Sequence, residues 1–278
     1  MYNRIVVPVD GSTFSEEVIP YALGIATTTG AKLTLLRVIE KDANKAKVEK
    51  YVQALAARFG VEGRSVSSRG NVAEDILDEV KRIPGTLVTI NSHGRGDRLN
   101  ALLGSVARDV VRAGHVPVLV YRPSGDADEQ HDPVQITTVL LPLGGTRLSE
   151  TIEAEAAGWA RSLKATLMVV QVLPANARMD PLLASSDILE DSYVRGHARD
   201  QEREYGIRVD WEVLRGDPVA SIARYLEGRR DVLVVMATRG QPTLQAAVLG
   251  SVTSGLLQRA GVPIIVQAPV KAKQQVSV

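Results

Sequence analysis

The chain has 278 residues, no cysteine, 4% aromatic residues and a formal net charge of +1. That length suggests two domains, and the missing cysteines exclude a disulfide scaffold, thiolate catalysis and a Cys-ligated metal. Interspersed charge and few aromatics argue against a nucleic-acid partner, and no window approaches the roughly 18 apolar residues of a membrane span, so a soluble cytoplasmic protein is expected.

Arg4–Val9 is a short apolar run ending at Asp10-Gly11-Ser12, and Phe14–Thr29 reads as a helix after it. Lys32–Ile39 is a second strand, followed by Lys45–Phe59 with Val48, Val52, Leu55 and Phe59 at helical spacing. Glu62–Ser68 is a third strand, and Asn71 is placed to cap a helix carrying Val72, Ile76 and Val80. Thr86–Asn91, Leu103–Ala113 and Pro117–Tyr121 complete the unit as strand, helix and strand. Strands alternating with helices predict right-handed crossovers and a parallel sheet covered on both faces. Pro8 and Pro142 sit near the ends of such strands, where a bulge or a free edge is expected because proline cannot donate to a ladder.

The pattern then repeats. Gly94 is followed after nine residues by Gly104-Ser105, and Gly240 after nine residues by Gly250-Ser251. Arg69-Gly70-Asn71 returns as Arg215-Gly216-Asp217, and Val116-Pro117-Val118 as Val262-Pro263-Ile264, all at an offset of 146. Val7-Pro8-Val9 returns as Leu141-Pro142-Leu143 at an offset of 134, so 12 residues are inserted in the second copy between its second and third strands. Duplication gives two α/β domains, 1–123 and 134–270, with a polar linker at 124–133 and a tail at 271–278. The inserted region, 174–206, holds Met179, Leu182, Leu183, Ile188 and Leu189, which predicts a homodimer surface; a lid over the second copy is the alternative. The apolar fifth strands, Val118–Val120 and Ile264–Val266, are expected to pair with each other within the chain.

Ligands of open α/β sheets bind beyond the carboxyl ends of the strands, where strand order reverses. Asp10, Val38 and Asn91–Gly94 converge there, with Gly104-Ser105 opening the next helix. Glycines admit a phosphate to the backbone, and a helix N-terminus adds free N–H donors and the positive end of its dipole. Asp10 suits ribose hydroxyls, and the strand-end backbone at Val38 suits an adenine edge. The plain alternative keeps Gly94 as a turn glycine and Gly104-Ser105 as a helix cap. His93 reads as a solvated loop histidine, with phosphate contact the second option.

Taken together, Val7-Pro8-Val9-Asp10-Gly11-Ser12, Ser92-His93-Gly94, Leu103-Gly104-Ser105-Val106 and Val116–Val120 resemble the universal stress protein family in its tandem two-domain form. The resemblance implies two doubly wound parallel five-stranded sheets of the adenine nucleotide alpha hydrolase-like type, strand order 3-2-1-4-5. It implies ATP, with or without Mg2+, held by Asp10 at the ribose, Val38 at adenine, and Gly94, Gly104 and Ser105 at the phosphates. Asn91 stands where the family has its first glycine, and either crowds the ribose or hydrogen-bonds to it. In the second copy Gly240, Gly250 and Ser251 keep the phosphate frame, but Gly144 replaces the aspartate and Ala237 the first glycine. Adenine nucleotide is therefore expected mainly in the first copy. With no evident base, arginine finger or metal-binding carboxylate pair, a nucleotide-dependent stress regulator is expected rather than a fast enzyme. A scaffold that binds no nucleotide, and a slow ATPase or self-phosphorylating switch, stay open.

Overall fold

The structure is a computed structural model and describes residues 2–93, 103–113, 116–122, 132–144, 151–175, 184–237 and 249–267, with side chains omitted for 184–191. In chain order the first half gives β1 (Arg4–Pro8), α1 (Thr13–Glu16), α2 (Ile19–Thr29), β2 (Lys32–Ile39), α3 (Lys45–Phe59), β3 (Glu62–Ser67), α4 (Val72–Lys81), β4 (Thr86–Asn91), α5 (Ser105–Arg112) and β5 (Val118–Tyr121). The second half gives β6 (Thr138–Leu143), α6 (Glu153–Leu163), β7 (Thr166–Leu173), α7 (Ala184–Tyr205), β8 (Val209–Arg215), α8 (Pro218–Leu226), β9 (Val232–Ala237), α9 (Ser251–Arg259) and β10 (Ile264–Gln267).

Local chemistry accounts for most of these boundaries. Asn71 accepts from the Ala73 and Glu74 N–H groups at the start of α4, and Asp217 accepts from Ala220 at the start of α8. Each satisfies donors that the first helical turn leaves free. One predicted helix is two: Phe14–Thr29 breaks between Glu16 and Ile19. Pro20 lacks the N–H that would bond back to the Glu16 carbonyl, so it can only open a new helix, as it does in α2.

The halves have the expected internal order but do not form two sheets. A single ten-stranded sheet runs β3-β2-β1-β4-β5-β10-β9-β6-β7-β8. All pairings within a half are parallel, and β5 joins β10 antiparallel, with Leu119 opposite Ile265. The two fifth strands, too short and apolar to stand as edges, thus cover one another; Leu119 and Ile265 are both fully buried. Alternation along β1 sends Ile5 and Val7 to one face and Val6 to the other, and both faces carry cores that cross the junction. One face packs α2, α3, α6 and α7, the other α4, α5, α8 and α9.

Further contacts tie the halves together. Tyr2 stacks on Trp159 with ring centroids 5.3 Å apart, and its hydroxyl donates to Glu155 at 3.0 Å. Burial, reinforced by the Glu155 charge, holds the Tyr2 phenol far above its ordinary pKa. Where the linker region re-enters the described residues, the Val134 N–H donates to the Pro20 carbonyl at 3.0 Å and the segment lies against α2 at Gly24. Met179, Leu182 and Leu183 lie outside the described residues, as do the side chains of Ile188 and Leu189. Among the described residues no helix is long and apolar enough to cross a membrane.

Candidate nucleotide-binding cleft

The cleft exists because two central strands part. β1 pairs with β4 only from Arg4–Thr86 to Val6–Val88, while it follows β2 as far as Pro8–Leu36. The Val9 N–H donates to Leu36 on β2, so the neighbouring Pro8 nitrogen faces β4, where the ladder has already ended. Proline therefore occupies a free edge, and its missing donor matches the split that opens the crevice. Pro142 repeats this: β6 pairs with β9 only at Thr138–Leu140 and with β7 through Leu143.

In the first half the crevice is a cavity of about 160 Å³ that brings together Asp10, Val38, Asn91, His93, Gly104 and Ser105. Leu36, Ile76 and Ile90 add apolar wall. Gly94 lies outside the described residues. Asp10 is half-buried, and its Oδ1 accepts from the Ser12 N–H at 2.8 Å and the Ser12 hydroxyl at 2.5 Å. The Asp10 N–H donates to Ser15 Oγ, so the turn after β1 is braced by its own side chains.

Asn91 is 3% exposed. Its Nδ2 donates to the Phe14 carbonyl and ties α1 to the end of β4. Its Oδ1 is buried and has no partner among the described residues. A buried acceptor left without a donor costs about 1–3 kcal/mol.

Gly104 caps α5 with φ −62° and ψ 164°, and its N–H is already used by the Ser92 carbonyl at 2.7 Å. The donors that face outward are therefore those of the next residues, Ser105, Val106 and Ala107, which have no acceptor among the described residues. These three N–H groups, with the helix dipole behind them, suit a phosphate. His93 is not a solvated loop histidine: it is 9% exposed, and its Nδ1 sits 2.8 Å from the Ser92 hydroxyl. Its position follows from β4, whose extension is pinned by Ser92 N–H to the Tyr121 carbonyl at 2.7 Å.

A residue that sequence reasoning missed also lines the cavity. Arg37 is 8% exposed, and its Nη1 donates to the Val38 carbonyl at 2.8 Å. The signal was present, since Arg37 is the one charged side chain inside the apolar run Leu33–Ile39.

The second half keeps part of the frame. Gly250 caps α9 with φ −68° and ψ 162°, nearly the Gly104 values, and Ser251 follows it exposed. Gly144 ends β6 where Asp10 follows β1, so no carboxylate occupies that place. Gly240 lies outside the described residues. Among the described residues no cluster of His, Asp and Glu is placed to hold a metal ion.

Comparisons with known proteins agree with this architecture. The universal stress protein family model matches residues 1–51, 41–122 and 135–267. A universal stress protein of Mycobacterium tuberculosis, Rv2005c, is 25% identical over 297 residues, covering 95% of this chain and 96% of its own. YxiE of Bacillus subtilis, also a universal stress protein, is 26% identical over 148 residues, 44% of this chain and all of its own. Among solved structures, a universal stress protein from Archaeoglobus fulgidus superposes with a TM-score of 0.66 at 19% identity, covering 97% of this chain and 100% of that one. PA1789 from Pseudomonas aeruginosa gives 0.65 at 20% identity, covering 96% and 93%. With the family matched over both halves and the fold shared from end to end, the chain belongs to the universal stress protein family, as two units in tandem.

Proposed function

We propose that the first half binds a nucleotide in its cleft and that the protein works as a nucleotide-dependent stress regulator, not a fast enzyme. The family resemblance names an adenine nucleotide, ATP foremost. In this reading the base lies against the end of β2 at Val38, the ribose beside Asp10 and Asn91, and the phosphates at Ser105–Ala107. Gly104 lines the cavity beside them, and Gly94, the other glycine of the frame, is assigned to the phosphates from the sequence alone. Any Mg2+ would arrive with the phosphates, since the described residues offer it no ligand cluster.

The observation that carries the reading is the Asn91 Oδ1. Asn91 lines the cavity of about 160 Å³, and its buried carbonyl oxygen, which has no donor among the described residues, would gain one from a ligand hydroxyl that displaces its cover. Asn91 stands where the family has glycine, so its amide takes the place of an open backbone and offers an acceptor in return. The second half, with Gly144 in place of the aspartate, binds more weakly or serves structure alone.

Mass spectrometry of protein purified under native conditions should find retained nucleotide, and calorimetry should show saturable binding to the stripped protein. No retained nucleotide together with no heat from ATP or GTP at millimolar concentration would sink the reading. A cytoplasmic location and a homodimer through residues 174–206 belong to the same proposal. Sedimentation of the protein with Leu182→Asp and Leu183→Asp tests the dimer, because two unpaired carboxylates buried in an interface should shift it to monomer.

A further inference from the structure

Arg37 carries more than its burial suggests. It is a guanidinium 8% exposed, and among the described residues no carboxylate stands within ion-pair distance of it. Its hydrogen bond among the described residues, from Nη1 to the Val38 carbonyl at 2.8 Å, has a reason in the sheet. The Leu36 carbonyl accepts from Val9, so it faces β1, whereas the Ile39 carbonyl accepts from Ser68 and faces β3. By the same alternation the Val38 carbonyl faces β1, but beyond its last rung at Pro8. No strand N–H reaches it there, and Arg37 takes it.

This alters what a base would meet at the end of β2. An open Val38 carbonyl would suit the amino group of adenine. Here that acceptor is engaged by the guanidinium of a residue that lines the cavity, and its other four N–H groups have no partner among the described residues. Adenine offers an N6 amino donor beside N7, so donor would face donor. Guanine and hypoxanthine offer O6 beside N7, two acceptors that match the guanidinium fork in a bidentate pair. A guanidinium held out of water, with no carboxylate within ion-pair distance among the described residues, gains more from such acceptors than an exposed one would.

We propose that Arg37 selects the base, and that the first-half cleft takes a 6-oxopurine nucleotide, guanine or hypoxanthine, in preference to an adenine one. The proposal rests on the nucleotide reading above and specifies its substrate class.

Calorimetry on the full-length protein, stripped of bound nucleotide, should compare ATP, GTP and ITP. GTP and ITP should both bind on the order of tenfold tighter than ATP. Because ITP lacks the 2-amino group, its agreement with GTP assigns the difference to O6. Arg37→Met removes the fork and frees the Val38 carbonyl, so GTP and ITP should weaken while ATP tightens. ATP binding the wild type as tightly as GTP and ITP, or tighter, overturns the base assignment and leaves nucleotide binding intact. No binding of any of the three overturns both. A variant that weakens all three equally also overturns it, and reduces Arg37 to a cap on the Val38 carbonyl. The wild-type comparison needs no variant, so a poorly folding Arg37→Met leaves the deciding measurement in place.

Discussion

Replacing Asn91 with leucine separates a ligand contact from a structural one. The two side chains branch alike, but leucine neither donates nor accepts. The variant loses the Nδ2 bond to the Phe14 carbonyl, a net contribution of about 0.5–1.5 kcal/mol. That carbonyl is not stranded, since it still accepts from the Glu17 N–H at 3.4 Å. Against this loss, the variant removes a buried oxygen that has no donor among the described residues, which relieves about 1–3 kcal/mol. The two terms offset, so chemical denaturation should place the variant within about 1 kcal/mol of wild type, or above it. Binding has no such offset. If Oδ1 accepts a ligand hydroxyl, its loss weakens nucleotide by about 0.5–1.5 kcal/mol, roughly 2- to 12-fold in Kd. Calorimetry with ATP and GTP beside urea denaturation of the same preparations reads both quantities. A stability loss of more than about 2 kcal/mol with an unchanged Kd would refute the reasoning, for Asn91 would then be a tether between α1 and β4 and nothing else.

Gly104 lines the cavity at the start of α5, so Gly104→Val should weaken nucleotide tenfold or more, about 1.4 kcal/mol, and Gly250→Val should do much less; equal Kd values for wild type and Gly104→Val would exclude phosphate from the start of α5. Gly24→Ala should reverse the usual helix gain of about 0.5–1 kcal/mol, because the added Cβ would lie 1.8 Å from the Val134 carbonyl oxygen, and overpacking of this kind costs about 1–3 kcal/mol; a variant more stable than wild type in urea would show that the 132–137 segment does not rest on α2. Burial pushes the Asp75 carboxyl up, but hydrogen bonds from Ser68 and Arg69 and the Arg69 charge outweigh it and hold the carboxyl below its ordinary range. A folded pKa below the unfolded one adds stability above pH about 4 and loses it as pH falls through the lowered value, so Asp75→Asn should cost about 1–3 kcal/mol at pH 7 and less in acid; a gap of the same size at pH 3 would argue against the linkage.

Short-range chemistry made much of this protein legible from its sequence. Ile5–Val7 reads as a strand buried on both sides because its neighbours alternate between two apolar faces, and Asn71 announces a helix start because a cap acts within three residues. The duplication followed from constant offsets, and the pairing of β5 with β10 from two apolar edges that had to be covered. Five of the expected first-half residues, Asp10, Val38, Asn91, Gly104 and Ser105, do meet in one cavity, since strand order alone sends those loops to the same end of the sheet. Tertiary structure decided the rest. Nothing local says that the Gly104 N–H is used by Ser92, that His93 is buried, or that the start of the second half lies across Gly24. The role of Arg37 depends on which way the Val38 carbonyl points, and that direction has a consequence only because β1 stops at Pro8 while β2 continues. The split that opens the cleft is a relation between strands whose paired residues lie 28 (Arg4 and Lys32) and 82 (Arg4 and Thr86) positions apart, set by where each ladder ends. Side-chain periodicity records which face a residue takes, but the partner it finds there is fixed only when the strands are side by side.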